Sequence, residues 1–208
     1  MRRIILISVF ILGTFFLIPN SFSLIANQFI VDDFKSDEAN SLGGKTDIYE
    51  QEPSKASFSY EYMRRSGIRT QVLAIKYYKS LEGGPYGTGG WCGFYTMLRT
   101  DGRPYFDTSE YDYLTLWIKG KKGNEDFMVG MADVYLDKKR QTRKSKPIGE
   151  YLKEGKITKY WQKAKIPLKE FFLNREKVVS ITIDFERELF ANGSNTGTVY
   201  IDDIVFEK

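Results

Sequence analysis

The alternation of apolar and polar residues along this chain is that of strands rather than helices. Ser57–Tyr62 reads S-F-S-Y-E-Y, and Val72–Tyr78 places Leu73, Ile75 and Tyr77 on one face. Tyr113–Lys119 puts Leu114, Leu116 and Ile118 on one side and Tyr113, Thr115, Trp117 and Lys119 on the other. A period of two is the signature of a pleated strand with one face packed and the other wet. Segments of the same kind run over Phe127–Asp133, Trp161–Ile166, Ser180–Phe185 and Thr198–Phe206. Between them lie turn-forming clusters: Gly43-Gly44, Gly83-Gly84-Pro85, Gly87 to Gly90, Asp101-Gly102, Lys121 to Asn124 and Asn192 to Gly197. Only Ile148–Leu152 and Leu168–Phe172 carry a turn or two of helical spacing. Many short strands, regular turns and no alternating helices predict an all-β fold, a sandwich or barrel and not a parallel α/β sheet.

The amino terminus follows a different pattern. Arg2 and Arg3 precede an apolar stretch from Ile4 to Ile18, and Ser21-Phe22-Ser23 offers small residues for cleavage. That is the layout of a secretory signal peptide over residues 1–23. Its apolar stretch is shorter than the roughly 20 residues a helix needs to span a bilayer, so no membrane insertion is expected after cleavage. Residues 24–208 then form one exported β-sandwich domain, long enough for a real core and too short for two.

Composition narrows the chemistry. The formal charge of +4 falls to +2 when Arg2 and Arg3 leave with the signal. A nearly neutral domain offers no electrostatic case for nucleic acid. The chain has no His, which excludes Ser-His-Asp and Cys-His catalysis and every His-ligated metal. Its single Cys, Cys92, excludes an internal disulfide and a thiolate zinc cage. Cys92 lies in the apolar run Trp91–Leu98 and reads as a buried, inert thiol.

Aromatics make up 15% of the residues, and several fall where a ligand face is expected. Pro85-Tyr86-Gly87-Thr88-Gly89-Gly90-Trp91 sets Tyr86 and Trp91 around a glycine loop. Trp91 and Tyr95 share one strand face, and Trp117 points away from the core if Leu114, Leu116 and Ile118 point in. Asp133, Asp184 and Glu186 occupy strand positions able to project beside them. Flat aromatic rings with a few placed polar groups suit sugars, whose C–H faces stack and whose hydroxyls need partners. The same acids leave open a carboxylate-based glycoside hydrolase or lyase, which needs two carboxyls about 5–10 Å apart. The basic run Lys138–Lys146 reads either as a solvated loop or as a patch for an anionic polysaccharide or acidic partner.

Four segments in order resemble one domain type. They are Ile30-Val31-Asp32-Asp33-Phe34 with Asn40-Ser41-Leu42-Gly43-Gly44; Asp107-x-Ser109-x-Tyr111-x-x-Leu114 leading into Trp117-Ile118-Lys119-Gly120; Trp161-Gln162-Lys163 with Ile166-Pro167-Leu168 and Phe171; and Val199-Tyr200-Ile201-Asp202-Asp203-Ile204. Together they resemble the galactose-binding-like domains of the family 11 carbohydrate-binding modules and of the complex I intermediate-associated assembly factor. The resemblance implies an antiparallel jelly roll with its first and last strands adjacent, no catalytic role, and a polysaccharide or glycan as ligand. Its assembly-factor branch leaves open a scaffold that binds a protein partner instead. With the termini adjacent, Asp32, Asp33, Asp202 and Asp203 would converge, and converging carboxylates repel unless a cation intervenes. Together with Asn40, Gly43 and neighbouring carbonyls they suit a structural Ca²⁺, which takes six to eight oxygens.

Overall fold

In the computed structural model, which describes residues 28–37, 39–190 and 195–208, the alternating segments form two antiparallel sheets. The strands are β1 (Gln28–Asp32), β2 (Thr46–Glu50), β3 (Lys55–Arg65), β4 (Ile68–Tyr78), β5 (Cys92–Met97) and β6 (Tyr113–Gly120). They continue with β7 (Met128–Asp133), β8 (Arg143–Pro147), β9 (Gln162–Pro167), β10 (Val178–Asp184) and β11 (Thr196–Glu207). One short helix, α1 (Val134–Lys138), follows β7. The first sheet has the order β3-β4-β11-β6-β9, and the second the order β2-β5-β10-β7-β8. The long β11 pairs with β4 through its first half and with β1 through its second, so the two ends of the domain lie side by side.

The core forms where the inward faces meet. Leu73, Ile75 and Tyr77 of β4 and Leu114, Leu116 and Ile118 of β6 are buried there, as the period of two requires. Phe94, Val129, Met131, Ile181 and Ile183 face them from the second sheet. Rings interlock across the gap: Phe58 meets Phe94 edge-on at 5.6 Å, and Tyr77 stacks on Phe185 at 3.9 Å. Burying side chains of this size contributes about 2–3 kcal/mol each. Cys92 is part of this core, and burial pushes its thiol up to about 12.

Three elements depart from the sequence expectation. Thr46–Glu50 carries no strong alternation, yet it pairs along β5 as β2. The basic run is not wholly a loop, since Arg143–Pro147 forms β8 at the edge of the second sheet. Lysines suit an edge strand because they discourage pairing with another chain. Asp133 ends its strand and caps α1. The two helical turns occur as single 3₁₀ turns at Ile148–Tyr151 and Leu168–Phe171. The expected signal peptide lies outside the described residues. Among the described residues no helix is long and apolar enough to cross a membrane.

Candidate functional site

The outer face of the second sheet is shaped by where glycine falls. Outward-facing Thr182 and Asp184 on β10 are flanked in register by Gly130 on β7 and Gly93 on β5. The room left by the two glycines is taken up by the Tyr49 ring over Gly93 and by the Thr182 and Asp184 side chains over Gly130. Both positions need glycine for room. A Cβ at Gly93 would collide with the Tyr49 hydroxyl and the Ile183 carbonyl. One at Gly130 would lie 2.6 Å from Asp184 Oδ2 and 3.0 Å from Thr142 Oγ1. Tyr49, Trp91, Arg140, Thr142 and Lys144 rise around this floor and enclose a groove of about 530 Å³.

Local structure explains how each wall is held. Tyr49 lies opposite Gly93 in the β2–β5 ladder, so its ring leans over the glycine. Trp91 is brought to the rim by the preceding loop. Gly90 has φ +71°, and a Cβ there would collide with the Gln51 carbonyl, so only glycine lets the chain pass this close. The Gln51 N–H then donates to the Trp91 carbonyl at 2.8 Å, and the buried Lys79 amine donates to the Gly90 carbonyl. Trp91 stays 42% exposed on this anchored backbone, which suits a stacking surface. Lys144 comes from β8, pinned to β7 opposite Gly130.

The groove's polar groups are tied to one another. The Tyr49 hydroxyl donates to Asp184 Oδ1, and the Thr182 hydroxyl donates to Oδ2 at 3.0 Å. Burial pushes the Asp184 carboxyl up to about 6, against the opposing pull of the Lys144 amine. Burial and the adjacent Asp184 charge hold the Tyr49 phenol well above its ordinary range, so it remains a donor. The Lys144 amine is ion-paired with Glu186 Oε1. Burial works to lower the Lys144 pKa, but Asp184 and Glu186 outweigh it and raise it overall. Two acids thus face two bases, Lys144 and Arg140, and the groove is polar without strong net charge.

Of the residues expected from sequence, Trp91, Asp184 and Glu186 meet in this groove. Tyr95 shares the outer face of β5 and lines an adjoining depression with Lys45 and Arg99. Trp91 and Tyr95 are four residues apart, about 13 Å along a strand, a length suited to an oligosaccharide rather than a single sugar. Tyr86 stands 78% exposed on the loop between β4 and β5 and is not among the groove's lining residues.

Trp117 lies on the opposite sheet, where the Arg65 guanidinium sits 5.0 Å from its ring centre. Asp133 is committed to structure. Its Oδ1 accepts from the Tyr135 and Leu136 N–H groups, both at 2.9 Å, and its Oδ2 from the Asn174 N–H at 2.8 Å. Burial would raise its pKa, but these three donors hold it below the usual carboxylate range. It therefore projects no free carboxyl toward the aromatics.

Tyr49, Thr182, Lys144 and Arg140 were not expected in the site. Tyr49 and Thr182 each alternate with inward Ile residues, which is the signal that finds them once β2 and β10 are placed.

The residues expected to hold calcium are engaged otherwise. Arg65 Nε donates to Asp202 Oδ2 at 2.7 Å, and its Nη2 donates to Asp203 Oδ2. Lys35 pairs with Asp33, and the Phe34 N–H donates to Asp32 Oδ1 at 2.9 Å. Asn40 Nδ2 donates to Thr96 Oγ1 and the Met97 carbonyl, both at 2.7 Å, while its Oδ1 accepts from the Leu42 and Gly44 N–H groups. Gly43 serves that turn with φ +79°. Cations therefore meet three of the four aspartates, a backbone N–H meets Asp32, and Asn40 faces β5. Among the described residues no group of three or more acids or Cys is placed to hold a metal ion.

The domain is thus an antiparallel sandwich with an aromatic-lined groove on one outer face. The sequence profile of carbohydrate binding domain 30 matches residues 32–208, and the chain belongs to that family. The resemblance read from the sequence was to family 11, and both families share this jelly roll among solved structures. A family 30 carbohydrate-binding module of a cellulosomal cellulase of Clostridium thermocellum is similar at 20% identity, covering 86% of this chain and 98% of that one, with TM-score 0.56. A family 11 module of a cellulosomal cellulase of the same organism is 16% identical over 88% of this chain and 95% of that one, with TM-score 0.57. A family 11 module from this organism, solved with a β-1,3-1,4-mixed-linked tetrasaccharide, is 14% identical, covers 86% and 95%, and has TM-score 0.56. At these identities the likeness establishes the fold. No curated protein matches the chain in sequence.

Proposed function

We propose that the groove on the second sheet binds a neutral polysaccharide, and that the protein does so outside the cytoplasm. The observation that carries this reading is one groove that brings the Trp91 and Tyr49 rings together with Thr182, Asp184, Glu186 and Lys144 on the outer face of the second sheet. Trp91 supplies a flat apolar surface for a sugar's C–H face. The paired Lys144 and Glu186, with Arg140 and Thr142, offer donors and acceptors to hydroxyls at fixed positions. Because the acids and bases balance, a neutral sugar loses no electrostatic energy on entering, whereas a polyanion gains little.

Export is supported by the Arg2-Arg3 and Ile4–Ile18 pattern. Edman sequencing of secreted protein is expected to start near Leu24, and a mature protein beginning at Met1 contradicts it. For the ligand, a glycan array of glucans, mannans, xylans and anionic polysaccharides is the direct assay. The reading expects retention on at least one neutral polymer, competed by its own oligosaccharides. Silence on all neutral polymers contradicts it.

A further inference from the structure

The opposite sheet carries a second aromatic platform. On β6, Trp117 faces outward, since Leu114, Leu116 and Ile118 face the core. Trp161 stands just beyond the Ile118–Gln162 pair of the β6–β9 ladder, and Tyr160 beside it is 79% exposed. Together these three rings line a depression of about 540 Å³, with Glu154 and Lys153 at its rim.

Both indoles are held from behind. Trp161 packs on a small outer cluster of Val72, Ala74, Tyr200 and Met63, and its Nε1–H donates to the Arg64 carbonyl at 3.0 Å. One face of Trp117 is backed by the Arg65 guanidinium, itself fixed by Asp202 and Asp203. Rings fixed in this way lose little freedom on stacking against a ligand. The polar side chains nearby are long and charged, and a narrow aromatic strip so bordered differs from the broad apolar patch of several hundred Å² that marks a protein interface.

We propose that Trp117, Trp161 and Tyr160 form a second glycan-binding platform, on the sheet opposite the groove, for the same class of neutral polysaccharide. This rests on the chain being a glycan binder, but not on the groove being its site. Two platforms on opposite outer faces cannot lie along one stretch of polymer, so the domain would bridge two chains.

The three tryptophans of the sequence give a single readout. In a ¹⁵N titration of the full protein, the indole of Trp91 reports the groove, and those of Trp117 and Trp161 report the platform. The probes are tetrasaccharides of β-1,4-glucan, β-1,3-1,4-glucan, β-1,4-mannan and β-1,4-xylan. The proposal expects one probe to shift Trp117 and Trp161 along a saturable curve separate from that of Trp91. Trp117→Ala then weakens the Trp161 response at least tenfold while the Trp91 response persists, which also shows that the variant is folded. If that variant misfolds, Tyr160→Ala is read in the same way. A Trp91 response with neither platform indole moving overturns this proposal and leaves the groove reading intact. Platform shifts without Trp91 do the reverse, and silence of all three indoles overturns both.

Discussion

The Tyr49 hydroxyl on β2 donates to the Asp184 carboxylate on β10, reaching across the intervening strand over the bare backbone of Gly93. β2 and β10, which share no ladder, are thereby joined directly by side chains on their outer face. Tyr49→Phe removes one of the two hydroxyl donors of a buried carboxylate, whose other is Thr182. A stability loss of about 1–3 kcal/mol is expected, because the orphaned oxygen retains its desolvation cost. Urea unfolding measures it, and an unchanged midpoint contradicts the role given to this pair.

Gly130→Ala tests the groove by pushing on the two side chains packed over this glycine, Thr182 and Asp184, both of which line it. The new methyl would collide with Thr182 Oγ1 and lie 2.6 Å from Asp184 Oδ2, so both side chains must shift. Affinity for a glycan that binds is expected to fall at least tenfold, with the thermal midpoint lowered by only a few degrees. Unchanged affinity means that the floor does not shape the site.

Asp184 also gives binding a pH dependence. Its carboxyl is raised to about 6 by burial, so it is ionised at pH 7.5 and largely protonated at pH 5. Protonation removes an acceptor and leaves Lys144 with Glu186 alone. Affinity is expected to drop several-fold from pH 7.5 to 5, and the drop should vanish in Asp184→Asn. Calorimetry at both pH values measures this. An identical slope in parent and variant assigns the titration to another group.

At the joined termini the prediction concerns stability. Burial raises Asp32 to about 7, with Asp33 adding to the rise and the Phe34 N–H opposing it. An acid whose folded pKa lies above its unfolded 3.8 contributes stability that is present below pH 4 and lost as pH climbs through 7. Asp32→Asn keeps the acceptor for Phe34 and removes the ionisation. The variant should match the parent at pH 4 and exceed it at pH 8 by at most about 4 kcal/mol. A difference that does not change with pH contradicts the burial argument.

Arg65 is the countercharge at the same end. Arg65→Ala leaves buried Asp202 and half-buried Asp203 without their cation, and about 3–5 kcal/mol of destabilisation is expected. EDTA should leave the thermal midpoint of the parent unchanged. A large fall with EDTA, restored by calcium, places a metal where Arg65 is given the role here.

The fold was largely legible because period two survives in the strands that build the core. Leu73-Ile75-Tyr77 and Leu114-Leu116-Ile118 announce their inward faces, and the paired termini followed from the resemblance. The second sheet was harder to read. On β2 only Ile48 packs against the core, and β8 is an edge strand whose lysines resemble a loop. The site was half legible for a related reason. Trp91 was found because a large aromatic after a glycine loop stands out, and Asp184 because it ends a strong strand. Tyr49 becomes visible only once β2 is paired with β5, since its role depends on Gly93 across the ladder. Trp117 was rightly turned outward by alternation, but alternation does not say which sheet a strand joins. Four acids at the joined ends suggested a metal, and only the long β3–β4 hairpin, which carries Arg65 to them, reveals another partner.

Trp91 is the side chain on which glycan binding in the groove depends most directly. Isothermal titration of the full protein with an oligosaccharide of a polymer it retains should give saturable binding, and Trp91→Ala should weaken it at least thirtyfold, about 2 kcal/mol, with an unchanged unfolding midpoint. A Trp91→Ala variant that is folded and binds as tightly as the parent would show that the glycan is held elsewhere and that the groove on the second sheet is not the site.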